Sequence, residues 1–128
     1  MAHVRDEARQ VVLAWHQALN AGAVDQLIDL ACDDVEVGGP RGSGRGVQLL
    51  REWFGRAGVR LEPLRIVTHA DAVIVEQNAT WPADEGVHRL ASVFHVRDGK
   101  IASVLRYPDL GAALSAAGLD ASGQHAEL

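Results

Sequence analysis

ASVFHVRDGKIASVLRYPD, residues 91–109, decides the fold. Two apolar runs flank Asp98-Gly99, and both central residues of a tight type I′ turn need φ > 0, which Asp-Gly supplies. The stretch therefore reads as a β-hairpin. Pairing across a two-residue turn sets Val96 opposite Ile101, Phe94 opposite Ser103 and Ser92 opposite Leu105, leaving His95 on the face of Val104 and Arg106. Arg106 is a cation in an otherwise apolar strand, and such a group needs a partner or a ligand.

Working outward, the period of the apolar residues changes once. Val4 to Asn20 carries Val4, Ala8, Val11, Val12, Trp15, Ala18 and Leu19 at helical spacing, with Asn20-Ala21-Gly22 as the stop. A shorter helix is expected over about Val24 to Cys32, then a short strand at Asp33–Val37. The glycine-rich run Gly38–Gly46 reads as a loop. Val47–Ala57 is a third helix closed by Gly58.

From there the period is 2, and Leu61–His69, Ala72–Trp81, His88–Arg97 and Lys100–Tyr107 read as four strands rich in Val, Ile and Thr. The turns between them are Ala70-Asp71, a longer loop over Pro82–Gly86, and Asp98-Gly99. A short helix over about Asp109–Ala117, with Asp109 as its cap, ends at Gly118. Residues 1–120 form a single domain and 121–128 a frayed tail. Helices first and antiparallel strands after give an α+β protein, with helices on one face of a curved sheet and a pocket between the layers.

Composition narrows the function classes. The 128-residue chain is long enough for one core, and its 48% hydrophobic and 23% charged residues match a soluble globular domain. A net charge of −5 with scattered basic residues offers no footprint for nucleic acid. No apolar run reaches the ~20 residues of a membrane span and the N-terminus is too polar for a signal peptide, so a cytoplasmic protein is expected. The single cysteine, Cys32, excludes an internal disulfide and reads as a small buried hydrophobe. His3, His16, His69, His88, His95 and His125 lack metal-ligand spacing, so neither a metal nor another cofactor is expected.

Three segments carry a resemblance to a known family: Ala18-Leu19-Asn20-Ala21-Gly22 with Leu30-Ala31-Cys32-Asp33-Asp34, the glycine-rich run leading into Leu50-Arg51-Glu52-Trp53-Phe54, and the hairpin Asp98-Gly99-Lys100-Ile101. In order and spacing, over roughly residues 5–110, the chain resembles the nuclear transport factor 2-like superfamily, in its SnoaL-like and ketosteroid-isomerase-like branches. The resemblance implies a cone-shaped, cystatin-like α+β fold, N-terminal helices packed on a curved, mostly antiparallel sheet, with an interior pocket. Members include isomerases, polyketide cyclases, epoxide hydrolases and proteins that only bind or assemble, so fold does not settle function.

Laid over this chain, the tyrosine of the steroid isomerases falls on Trp15, their proton-shuttling base on Gly39, and their second aspartate on or beside Ser92. With all three lost, isomerase chemistry is not expected. The same resemblance turns Trp53, Glu76, Asn78, Thr80, Val104 and Arg106 toward the cavity. It also brings Ser92 inward, whereas the two-residue turn brings His95 inward. Both hold only with a bulge. In related hydrolases and cyclases a carboxylate near the position of Arg106 works on the substrate; here that charge is reversed.

Glu76 and Arg106 are thus the candidate catalytic pair, Glu76 as acid or base and Arg106 as its orienting or oxyanion partner. The other readings are a ligand contact, a structural ion pair or a solvated face. Trp15, Trp53, Asn78, Thr80, Ser92, His95 and Val104 are candidate ligand contacts, with the tryptophans equally readable as core. The expected partner is a small apolar molecule, and a homodimer through the outer sheet face is expected from the resemblance. A non-catalytic binding or assembly module is the alternative.

Overall fold

The computed structural model describes residues 3–39, 42–69, 72–82 and 84–118, with backbone alone for 3–6, 53–57, 84 and 85. In chain order its elements are α1 (His3–Asn20), α2 (Val24–Asp29), β1 (Ala31–Gly39), β2 (Gly42–Arg45), α3 (Val47–Ala57), β3 (Arg60–His69), β4 (Ala72–Trp81), β5 (Asp84–Arg97), β6 (Lys100–Tyr107) and α4 (Leu110–Ala116). The strands make one curved sheet in the order β2-β1-β6-β5-β4-β3. Every neighbouring pair is antiparallel except β1 and β6, which run parallel. The α+β architecture read from the sequence is the one observed.

Local differences have identifiable causes. Helix α2 stops at Asp29 because the Leu30 carbonyl accepts from Ile101 N–H at 2.8 Å, drawing the chain onto β6. Cys32 is therefore on strand β1 rather than in a helix, though buried as expected. The glycine-rich run is not all loop: β1 continues to Gly39 and β2 pairs back onto it. Backbone ladders need no side chains, and here bulk would obstruct them. A Cβ on Gly38 would stand 2.5 Å from the Ser43 Cβ, and one on Gly44 2.5 Å from a Leu49 methyl. Strand β5 begins at Asp84, so the expected loop after Pro82 is a short turn. Residues 70, 71 and the tail at 121–128 lie outside the described residues.

The sheet carries a core on each face. On the concave side Val12, Trp15 and Leu19 of α1 pack with Leu27, Leu50, Val35, Val37, Leu61, Val73, Val75, Ala79, Leu90, Phe94 and Val104. On the outer side Ala113 and Leu114 of α4 pack on Ala72, Ile74, Ala91 and Val93. Asp109 caps α4 by accepting from Ala112 N–H at 2.8 Å, as its position predicts. Helix α4 thus covers the centre of the outer face, the surface where a dimer contact was expected.

The hairpin contains the bulge that both sequence readings required. Val96 pairs with Ile101, but the next pair is His95 with Ser103, so Ala102 is an extra residue on β6. The offset then sets Phe94 opposite Val104 and Ser92 opposite Arg106. Near the turn the two-residue register holds; beyond the bulge the other one does. Ser92 turns inward and His95 outward.

Candidate ligand site

Strand β4 assigns its faces by what covers them. Val73, Val75 and Ala79 join the helix-side core, whereas Ala72 and Ile74 join the α4 core. Alternation therefore places Gln77 on the concave face and Glu76, Asn78 and Thr80 on the outer one. This corrects the cavity-facing orientation expected for those three. The odd positions hold the residues that bury best against α1, and the polar even positions go outward. Glu76 is held there by Arg89 at 3.6 Å, and stands opposite Arg65 of β3 in the strand register. Asn78 accepts from Arg89 Nε at 3.2 Å and donates to Glu62 at 3.4 Å. Thr80 lies opposite Arg60. Glu76 and Arg106 are not brought together.

On the concave face the structure assembles a polar chain that the sequence reading missed. His16 of α1, Gln77 of β4 and Ser92 of β5 are all at most 3% exposed. The His16 Nδ1 lies 2.8 Å from the Val12 carbonyl, and its Nε2 lies 2.8 Å from the Gln77 amide nitrogen. Ser92 Oγ donates to Gln77 Oε1 at 2.8 Å. A carbonyl can only accept, so the pattern assigns the proton to His16 Nδ1 and makes Nε2 the acceptor. Burial pushes the His16 pKa below its ordinary value, partly offset by the hydrogen bond to Val12. The imidazole is therefore the neutral form the network needs.

Aromatic rings enclose this chain. Trp15 meets His16 edge-on with centroids 5.3 Å apart and Phe94 at 5.1 Å, and all three are fully buried. Trp15 and Val104 are thus core residues of the concave side. The Trp53 side chain lies outside the described residues, although α3 carries its backbone. His95 stands on the outer face with its Nδ1 3.0 Å from Ser103 Oγ. Trp81 packs at the edge of the main core with its ring 5.7 Å from His88.

Arg106 occupies a different setting. Its register with Ser92 puts it on the concave side, but near the end of β6 it is exposed. There the ends of β1 and β6, strand β2 and the turn into α4 surround an open cleft of about 300 Å³. Glu36, Gly39, Gly42, Ser43, Leu105, Arg106, Tyr107 and Pro108 line it. A Cβ on Gly39 would stand 3.8 Å from both Cβ and Nε of Arg106, so the missing side chain leaves the flank of the guanidinium open. Glu36, the carboxylate among these lining residues, already accepts from Ser43 Oγ at 3.1 Å and lies 3.9 Å from Arg45. Chemically, the described lining residues offer one cation, a phenol and apolar walls.

A family model described as a SnoaL-like domain matches residues 12–104. The chain belongs to the SnoaL-like family of the nuclear transport factor 2-like superfamily. Among curated protein sequences none matches it. Solved structures agree in fold. An NTF2-like protein of unknown function from Cytophaga hutchinsonii is 17% identical with a TM-score of 0.73, over 80% of this chain and 89% of that one. An LEH-like epoxide hydrolase of M. tuberculosis is 27% identical with a TM-score of 0.70, over 81% and 84%. TerC, co-crystallised with polyporic acid, is 18% identical with a TM-score of 0.71, over 84% and 95%. In this SnoaL-like chain Trp15 is a core residue, Gly39 lines the cleft and Ser92 is committed to Gln77.

Proposed function

We propose that this SnoaL-like protein binds a small, partly apolar molecule in the cleft at the ends of β1 and β6. One observation carries the reading: Arg106, with no ion pair to another described residue, flanks a cleft of about 300 Å³ beside a glycine, with Leu105, Tyr107 and Pro108 as apolar walls. A few placed polar groups in a mostly apolar concavity are the usual makeup of a ligand site. Two proteins of similar fold support it, one named for an epoxide and one crystallised with polyporic acid.

The reading is binding rather than acid–base chemistry by Glu76. That carboxylate sits on the outer face with Arg89. Among the described residues, the buried polar side chains are His16, Gln77, Ser92 and Ser103, and none is a carboxylate. Nothing there supplies the proton shuttle of an isomerase.

A fragment library screened by amide-resolved NMR tests the proposal. Hits should perturb Gly39, Leu105, Arg106 and Tyr107, disappear in Leu105→Trp, which fills the cleft, and persist in Glu76→Gln. Hits that survive Leu105→Trp, or that map to Glu76, would overturn it.

A further inference from the structure

We propose that the cleft selects a monoanion, a carboxylate or a group of equivalent charge and shape, seated on Arg106 in the space beside Gly39. The proposal rests on the cleft being a ligand site and adds the class of ligand. Four of the described arginines are answered by carboxylates: Arg45 by Glu36, Arg51 by Asp25, Arg89 by Glu76 and Arg97 by Asp34. Arg9, Arg60, Arg65 and Arg106 have no such ion pair among the described residues, and of the described arginines Arg106 is the one that lines the cleft.

Geometry says where the anion goes. The Gly39 backbone is not left-handed, so no strain requires glycine there. A Cβ would fit in ordinary contact, with only Arg106 atoms within 4 Å. An acidic side chain at 39 would therefore reach the guanidinium. Glycine leaves that volume to the ligand, which supplies the negative charge itself. The planar guanidinium fork matches a carboxylate in a paired, charge-assisted contact.

Among the described lining residues Arg106 is the one cation, which matches a ligand with one such group. Glu36 lines the same cleft, and its carboxylate is turned to Ser43 and Arg45. A second anionic group on the ligand would meet this acid, with no second cation among the described lining residues to receive it. The body of the ligand rests on Leu105, Tyr107 and Pro108.

Three aryl probes separate the terms: benzoate, benzyl alcohol as its neutral counterpart, and isophthalate as a dianion, each titrated against the intact chain by NMR. Benzoate should bind at least about tenfold more tightly than benzyl alcohol and more tightly than isophthalate, with shifts at Gly39 and Tyr107. Arg106→Gln should weaken benzoate at least about tenfold and leave benzyl alcohol unchanged, the scale of a lost hydrogen bond to a charged group. Gly39→Asp should abolish benzoate binding by placing an internal carboxylate on Arg106, while keeping benzyl alcohol. Equal binding of benzoate and benzyl alcohol in the cleft overturns the charge selection and leaves the cleft reading standing. Failure of benzoate to bind overturns the proposal, and the fragment screen then judges the cleft separately.

Discussion

Ser92 and Arg106 stand directly opposite each other across β5 and β6, and Ala102 is the residue that puts them there. Side chains alternate with a strict period of 2, so one unpaired residue reverses the face of everything beyond it. Deleting Ala102 would set Ser103 next to Ile101, so His95–Ser103, Phe94–Val104 and Ser92–Arg106 would stay paired in a ladder without the bulge. Val104 and Ser92 would keep their buried face, so the deletion variant should retain one cooperative unfolding transition in urea followed by circular dichroism. Loss of that cooperativity would show that the bulge itself, and not only the pairing beyond it, is required.

The chain from His16 through Gln77 to Ser92 should resist partial removal. Gln77→Leu leaves an imidazole nitrogen and a hydroxyl buried without their partner, and each orphaned group costs about 1–3 kcal/mol. The single variant should therefore lose about 2–6 kcal/mol in chemical denaturation. Replacing all three groups, in His16→Leu, Gln77→Leu and Ser92→Ala together, should recover part of that loss. A triple variant less stable than the single one would refute this account of the network.

Acidification should act through His16. Its folded-state pKa is depressed by burial, so the unfolded chain takes up a proton at higher pH than the folded one. The stability contributed by keeping the imidazole neutral is fully present above the ordinary histidine range, around pH 6.5. It declines as pH falls below that range toward the folded-state value. The midpoint of thermal unfolding should fall more steeply over this window in wild type than in His16→Gln. Equal slopes would remove His16 from the acid response.

The turn of the hairpin gives a smaller effect. Asp98 and Gly99 have φ of 54° and 79°, and nothing lies within 4 Å of a Cβ built on Gly99. Gly99→Ala is therefore opposed by backbone conformation and not by crowding. It should cost about 1 kcal/mol, read as a shift of the denaturation midpoint at unchanged slope.

Much of this architecture is legible in the sequence, and the exceptions share a cause. Strands β4 and β6 have the bounds read from alternation and turn residues, because those signals are local. Strand β2 escapes, since Gly42–Arg45 is extended only through pairing with β1. The resemblance turns Glu76 toward the cavity, although Val73, Val75 and Ala79 mark the opposite face as the more apolar one. Ile74 complicates that contrast until α4 is seen to cover it. Gln77 in this apolar row is the signal that a buried partner exists. Its identity, His16, lies 61 residues away and only the packing of α1 discloses it.

Helix α4 has a consequence for how the molecule moves. It seals β4 and β5 from one side while α1 seals them from the other, so the amides of Ile74 and Val93 exchange with solvent only after a layer lifts. Strand β2 has four residues and a partner on one side alone. It forms the rim of the cleft at Gly42 and Ser43. The middle strands are therefore clamped from both faces while the cleft rim is a short edge strand, and a bound ligand would register as slower hydrogen exchange along β2.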